Sequence, residues 1–315
     1  MTMPASIQVI DLAIDGSPVA HVDAVEGRES LSQLFTFRIL ARDPVENGKE
    51  MDQVLGKPFS LSIKSETGDA GFRHGIVRGV AITEEGKWTC YDLDMCPEVG
   101  ALAVGRDSFV FQELTAQDIV SDVLKRAGIP ADHVRWSLAS TPPTRIYTAQ
   151  LQESDWEFVE RMLADEGLFY FFEHTEDVTT IVFADSIPDC PKLPGNSELK
   201  SATANELLLS EGVVTKVTER RSVTSDKVLL RDYNPEKPKT KLEATHTEGE
   251  GKYEIYDYPG RFQEASVGTT RAKIEVEALR AKRVTVTGAT RTSRMAPAAR
   301  MSRSRFVALL QPEAY

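Results

Sequence analysis

The sequence has few cysteines, no long apolar run and no basic leader. Three cysteines in 315 residues cannot all pair, and a chain of this size buries a core without disulfides, so we expect small buried side chains. The longest apolar aromatic run, residues 168–172, is far shorter than the roughly 20 residues that span a membrane. Residues 1–15 carry two aspartates and no basic region, unlike a secretory signal. We therefore expect cytoplasmic folding, no signal peptide and no membrane insertion by this segment.

Positive charge is also scarce. The chain has 37 Lys and Arg against 48 Asp and Glu, a formal net charge of −11, which argues against nucleic-acid binding because phosphate neutralisation needs clustered cations. The charges are unevenly distributed along the chain. Residues 268–315 contain ten Lys and Arg and three Asp and Glu (+7), whereas residues 1–267 contain 27 Lys and Arg and 45 Asp and Glu (−18). The basic end predicts either a docking surface or a solvated helix face followed by a loose tail.

Patterns that mark a cofactor, a metal or a catalytic centre are missing too. The segment Gly249–Gly251 lacks the third glycine of a dinucleotide loop, and the P-loop, nucleophile-elbow and zinc-protease patterns are absent. Five residues separate Cys90 from Cys96, more than a zinc knuckle allows. The acidic and aromatic residues of 152–174 predict a solvated helix face and core packing. We therefore predict no enzyme activity, no cofactor and no metal.

Period-2 alternation over the first hundred residues predicts short antiparallel strands. Aromatic and aliphatic residues alternate with polar ones over 35–39 and 59–63, and Asp-Gly and Glu-Gly turns separate such segments. This spacing is typical of a meander or a small barrel. His74 has the same strand parity as Val80, which predicts a hydrogen-bonded core histidine rather than a catalytic one.

Helical spacing replaces alternation further along the chain. Two capping boxes, Thr115–Asp118 and Ser154–Glu157, each precede an apolar stripe, and Gly128 and Gly167 follow where each helix would end. A last helix is predicted at about 269–282.

The remaining segments are either densely apolar or highly polar. Residues 168–174 and 177–185 predict a pair of strands buried on both faces. The stretch 236–252 is too charged for a core. Together the patterns predict an α+β, mainly β fold, with two β-rich portions and helices between them.

Several segments in fixed order resemble the Vgr family, the spike-hub proteins of type VI secretion, which are related to the baseplate hub of contractile phage tails. They are LFTFRILARDP (34–44), LGKPFSLSI (55–63), FRHGIVRGV (72–80), QESDWEFVERMLADEGLFYFFEH (152–174), LRDYNPEKP (230–238) and YEIYDYPGRF (253–262). Together they cover residues from about 30 to 285. The 152–174 and 253–262 segments are the most specific.

The resemblance implies two similar β-barrel-like hub domains with inserted helices, three copies of which form a hollow ring. It divides the chain into a first β-barrel-like domain (1–107), a helical segment (108–167), a second β-barrel-like domain with a terminal helix (168–295) and an atypical basic tail (296–315). The composition of that tail is typical of a disordered segment or an altered reading frame.

The function that the resemblance implies is mechanical. In the family the hub adapts a hexameric tube to a trimeric spike and is expelled with it when the sheath contracts. The expected partners are two further copies of the chain, a hexameric tube protein, baseplate components and spike or effector proteins. Basic residues of the last helix are candidates for the subunit interface. They are Arg271, Lys273, Arg280, Lys282 and Arg283.

Alternatives stay open. The nearest is a phage or prophage tail hub of the late-control type with a separate spike chain. Others are a tail-associated hydrolase, which would need paired carboxylates or an activated nucleophile, and an effector-binding module that uses 236–252. Family members continue into a spike, whereas the printed chain ends at Tyr315. We therefore expect a shortened form, a degraded copy or a hub whose spike is a separate polypeptide.

Overall fold

The computed structural model describes residues 9–64, 70–186, 190, 198–201, 213–290, 297–298 and 302–303. The chain forms two compact units: the first contains 1–164, 168–197 and 292–302, and the second contains 165–167, 198–291 and 303–315. The four-part division predicted from the sequence stays a prediction. The predicted tail 296–315 lies outside the described residues except at 297–298 and 302–303.

The first unit is built on a seven-stranded antiparallel sheet. Its strands are β1 (Val9–Ile14), β2 (Ser17–Pro18), β3 (His21–Ser30), β4 (Gln33–Pro44), β5 (Pro58–Lys64), β6 (Ala70–Glu85) and β7 (Trp88–Cys96). The strand order is β2-β1-β5-β6-β7-β4-β3, so the described strands form an open sheet rather than a closed barrel. Alternate residues of β4 from Phe35 to Ala41 are buried, which confirms the predicted alternation.

A bulge in β6 changes which residues face the core. The register between β6 and β7 shifts after Val77. Val77 and Val80 consequently lie on the same face, where they pair with the buried residues Met95 and Leu93. His74 lies on the other face. Its predicted position on the side of Val80 is wrong, because the bulge inserts one residue between them.

A second layer of the first unit contains two helices and five strands. These are β8 (Asp107–Thr115), α1 (Ala116–Arg126), β9 (Val134–Ser137), β10 (Thr144–Glu153), α2 (Asp155–Asp165), β11 (Phe169–His174) and β12 (Thr179–Ala184). β8 and β10 form a two-stranded antiparallel ribbon, and the other three strands form a sheet in the order β11-β12-β9. Residues 108–167 thus hold both predicted helices and also most of β8, with β9 and β10.

Both predicted capping boxes are formed. At the start of α1, the Asp118 N–H donates to Thr115 Oγ1 and the Thr115 N–H donates to the Asp118 carboxylate, each at 3.1 Å. Ser154 and Glu157 make the same exchange before α2, at 3.2 and 2.8 Å. In each exchange, two backbone N–H groups that have no partner within the helix donate to side-chain oxygens. A cap of this kind contributes about 1 kcal/mol to helix stability.

The two helices also end in the same way. Gly128 and Gly167 adopt left-handed φ angles of 81° and 70°, as glycines after a helix do. The N–H of the residue after each glycine donates to a helix carbonyl five residues earlier, at 3.1 and 2.8 Å. Local sequence therefore sets both ends of each helix.

Strands β11 and β12 are buried on both faces, as predicted. Tyr170 and Phe183 belong to the main core, which the seven-stranded sheet, α1 and α2 share. Phe171 and Val182 point to a separate apolar cluster with Cys190. A sheet covered on both sides requires near-continuous apolar sequence, and these segments provide it.

The described part of the second unit contains one long helix and two small sheets. Its elements are β13 (Glu198–Ser201), β14 (Val213–Arg221), β15 (Lys227–Asp232), β16 (Leu242–Thr247), β17 (Glu254–Asp257), α3 (Ala265–Arg280), β18 (Val284–Thr290) and Arg303 of β19 (Ser302–Arg303). The strand orders are β18-β14-β13-β19 and β16-β15-β17. The helix predicted at 269–282 is confirmed as α3, with Ala272 and Val276 fully buried.

The stretch 236–252 contains part of this unit's core. Leu242 and Ala244 on β16 are 5% and 3% exposed and pack against α3. The prediction that this stretch is too charged for a core is wrong, because the charged residues flank a short strand whose alternate side chains face inward. Gly268 allows the close approach, since a Cβ there would lie 2.8 Å from the Ala244 Cβ.

In the described part of the chain, no helix has the length and apolar character needed to cross a membrane.

Candidate assembly surfaces

The ribbon of β8 and β10, called here the apolar ribbon, has exposed large apolar side chains on both faces, because Phe109 and Ile146 share the strand face of the buried residues described next. Phe111 and Gln150 are 4% and 0% exposed and face the helices, and the Phe111 ring stacks on Phe158 with centroids 5.5 Å apart. The exposed large apolar side chains are Phe109, Val110, Ile146, Tyr147 and Leu151.

The apolar ribbon is incomplete as a sheet. Among the described strands, β8 and β10 pair only with each other, so each has an edge without a strand partner. Arg126 covers part of Phe109, with its guanidinium carbon 4.2 Å from the ring centroid, but Ile146 and Leu151 are 68% and 71% exposed. Two-stranded ribbons are marginally stable in water, and grouped apolar side chains of this kind mark interaction surfaces.

The five predicted interface residues, called here the basic end, do not act as one free cluster. Arg271 Nη1 donates to the carbonyls of Gly260 and Arg261, and Lys273 lies 3.7 Å from Glu277 along the helix. Arg280 Nε lies 3.2 Å from Glu248, and its side chain is only 23% exposed. These three residues therefore stabilise the second unit.

Lys282 and Arg283 differ from the other three. Both are exposed just after α3, and within the described part of the chain neither side chain forms a hydrogen bond or ion pair. They are the members of the basic end that can meet an acidic partner. Their proposed role at a subunit interface stays a prediction.

The second unit also has a group of exposed tyrosines that the sequence patterns did not predict. Three of them lie on or beside the edge strand β17: Tyr253, Tyr256 and Tyr258, which are 46%, 55% and 57% exposed. The fourth, Tyr233, directly follows β15, the strand with which β17 pairs. Tyrosine is enriched at protein interfaces. Three of the four tyrosines lie within YEIYDYPGRF, one of the segments that carry the family resemblance.

The titratable groups of the described residues form no group suited to a metal ion. Cys96 and Cys190 are buried and Cys90 is half-buried. Burial raises the pKa of the Cys96 thiol to about 11, which makes it a poor nucleophile. His74 Nε2 lies 3.2 Å from the Thr175 carbonyl, so the predicted hydrogen bond is confirmed, whereas the predicted core position is wrong because the side chain is half-buried.

A buried charge network joins the two layers of the first unit. Arg73 on β6 donates through Nε and Nη2 to both carboxylate oxygens of Glu29 on β3, at 2.7 Å each. His174 Nε2 lies 3.2 Å from Glu29, and its Nδ1 lies 2.9 Å from Thr179 Oγ1. The side chains of Arg73, Glu29 and His174 are 12%, 15% and 5% exposed. The network therefore links strands from three distant parts of the sequence.

The network changes the proton affinities of its members. Burial lowers the pKa of His174 below its usual 6.5, the Arg73 cation lowers it further, and the hydrogen bond to Glu29 opposes both. Burial alone would raise the pKa of Glu29, but the hydrogen bonds with His174 and Arg73 outweigh it and hold that pKa below its usual 4.5. Both groups therefore bind protons less readily in the folded chain than in the unfolded chain.

Acidification should consequently destabilise the first unit. Below about pH 6.5 the unfolded chain protonates His174 while the folded chain does not, so the free energy of unfolding falls with pH, and Glu29 adds a further loss below about 4.5. We expect His174→Gln to flatten the decline between pH 7 and pH 5, measured by urea unfolding. The exposed His21→Gln is the matched control. Equal slopes for both variants would contradict the assignment.

The chain is mainly β and exposes apolar and tyrosine side chains along open strand edges. These features indicate a structural component of an assembly. The chain belongs to the phage tail baseplate hub (GPD) family, whose model matches residues 28–307. The resemblance to Vgr spike-hub proteins is confirmed by the relatives described next.

Two curated relatives carry the Vgr name, and the first is a type VI secretion system spike protein. The spike protein VgrG4b of Pseudomonas aeruginosa is 30% identical over 292 residues, which cover 90% of this chain and 35% of the relative. The actin cross-linking toxin VgrG1 of Vibrio cholerae is 27% identical over 286 residues, 85% of this chain and 25% of the relative. The chain therefore spans about a third or less of these relatives.

A solved structure supports the fold. It is a component of the E. coli type VI secretion system described as similar to the T4 bacteriophage tail proteins gp27 and gp5. It matches 93% of this chain and 66% of its own chain with a TM-score of 0.66 at 19% sequence identity. This likeness concerns the fold alone.

Proposed function

We propose that this chain is the structural hub of a contractile injection apparatus, at the base of a type VI secretion spike. The observation that carries the proposal is the family match over residues 28–307, which includes nearly all of both compact units. In this role the chain adapts a hexameric tube to a trimeric spike and is translocated with it. The chain assembles in the cytoplasm and leaves the cell when the apparatus contracts.

The proposed assembly is a homotrimer. Two β-rich units in each of three chains give six comparable positions around a ring, which would match a hexameric tube. The apolar ribbon supports this proposal, because an open strand edge with exposed apolar side chains is suited to pairing with another copy. Baseplate components and spike or effector proteins are the further partners.

The proposed role involves no reaction. The Vibrio cholerae relative is named a toxin, but this chain matches only a quarter of its length, and that activity is therefore not transferred to the hub. The hub acts through its shape and through its contacts with other proteins.

A second candidate is the hub of a phage or prophage tail with a separate spike chain. The description of the matching family as a phage tail baseplate hub favours it. The two candidates differ in their tube partner. Co-purification of the chain with the tube protein of each apparatus tests both, and binding to neither would reject the hub function.

The basic end gives a prediction for assembly. We expect Lys282→Glu with Arg283→Glu to slow association of the subunits about tenfold at low salt, because the body of the chain is acidic. The difference in rate between the variant and the wild type should disappear near 1 M salt, because the Debye length there is about 3 Å. Stopped-flow light scattering measures the rate. Lys237→Glu with Lys239→Glu, on the exposed 236–241 segment, is the control, and equal rates for both pairs would reject the interface role.

A further inference from the structure

A cleft of about 320 Å³ opens in the first unit between the seven-stranded sheet and the β11-β12 hairpin. All of its lining residues belong to that unit. Its volume lies within the range of ligand sites. Nothing in the proposed hub function uses it.

The floor of the cleft is apolar and rigid. Phe59, Val99, Phe172 and Ile181 line it and are at most 5% exposed, so they belong to the folded core and keep their positions. Gly75 also lines it, and a Cβ there would lie 2.1 Å from a backbone carbonyl oxygen. The floor is thus preformed.

The mouth of the cleft is polar and acidic. Glu98 Oε2 lies 2.8 Å from His133 Nδ1, and Asp177 is exposed on the hairpin turn opposite. The lining includes two histidines and two carboxylates but neither lysine nor arginine. The two carboxylates would repel an anion here and attract a cation.

The buried charge network holds one wall of the cleft in place. The His74 N–H donates to Thr179 Oγ1 at 3.0 Å, and the same oxygen contacts His174 Nδ1 at 2.9 Å. His74 and Thr179 both line the cleft. A wall supported from behind by buried hydrogen bonds is a feature of preorganised binding sites.

We propose that this cleft binds a lysine or arginine side chain of a partner protein. The aliphatic stem lies on the apolar floor, and the positive head lies at the mouth near Glu98 and Asp177. Long basic side chains bury their stems in this way while keeping the charge exposed. The site would act as an anchor for a protein that docks on the first unit, independently of trimer formation.

The experiment uses small probes of matched length on the full chain with labelled isoleucine methyl groups. Hexylammonium represents the basic side chain, and hexanol and hexanoate are its neutral and negative counterparts. Ile76, Ile129 and Ile181 line the cleft, and the fully buried Ile39, which is outside the lining, reports non-specific effects. We expect hexylammonium to shift the three cleft methyl signals at lower concentration than either counterpart, and to leave Ile39 unchanged.

A pair of variants tests the charge at the mouth. Glu98→Gln should weaken hexylammonium binding about three- to fivefold and leave hexanol binding unchanged, because it removes one exposed charge interaction. Glu176→Gln removes a nearby exposed charge outside the cleft lining and should change neither. Equal binding of the three probes, or no shift of the cleft methyl signals with any of them, would overturn the proposal.

Discussion

Replacing Ile146 and Leu151 together by aspartate should convert the proposed trimer to monomer without unfolding the chain. Both side chains are about 70% exposed in the isolated chain, so the change removes little folded-state packing. At an interface, loss of two such contacts and burial of two charges weakens binding by at least about 2 kcal/mol, or some thirtyfold. Light scattering across a concentration series measures the change in mass.

Val104→Asp is the matched control for this change. Val104 is 77% exposed in the same unit but lies outside the apolar ribbon. We expect this variant to keep the wild-type mass at every concentration. If the ribbon variant behaved as the Val104 variant does, the ribbon would not be the subunit contact.

Removing the carboxylate of Glu29 should strongly destabilise the first unit. Glu29→Ala leaves the Arg73 guanidinium buried and without its bidentate partner. Breaking a buried ion pair from one side costs about 3–5 kcal/mol, because a charge remains in a poorly solvated position. The free energy of unfolding, from urea titration at neutral pH, measures the loss.

An exposed ion pair on the same sheet gives the control. Arg38 and Asp92 make the same two-point contact between strands, at 2.9 and 2.5 Å, but their side chains are 60% and 36% exposed. Asp92→Ala should therefore cost less than about 1 kcal/mol. A similar loss in both variants would show that burial does not govern the Glu29 network.

Features set by neighbouring residues were predictable from the sequence. The capping boxes at Thr115 and Ser154, with the glycines that end each helix, depend on contacts within a few residues and were identified correctly. The doubly buried strands β11 and β12 were predictable because burial on both faces leaves a dense apolar sequence.

Features that depend on distant residues were not predictable. Glu29 is separated by 44 residues from Arg73 and by 145 from His174, and no local pattern marks such a network. The bulge after Val77 reversed the face assigned to His74, since a single inserted residue changes strand parity. The core position of Leu242 had a weak local signal, its alternation with Ala244, which the surrounding charges obscured.

The candidate surfaces differ in the same way, according to whether a local pattern in the sequence marks them. The basic end was visible as a local excess of charge, but only the folded chain distinguishes Lys282 and Arg283 from Arg280, which is held by Glu248. The apolar ribbon had no such signal, because exposure depends on which strands lie beside it. The family resemblance supplied the function, which no individual motif in the sequence encodes.

The mass of the full chain in solution, alone and mixed with its hexameric tube protein, tests the hub proposal most directly. We predict three times the 34.9 kDa chain mass for the chain alone and a complex of one such trimer with one tube hexamer in the mixture. A mass of one chain at every concentration, with no binding to the tube, would contradict the proposal.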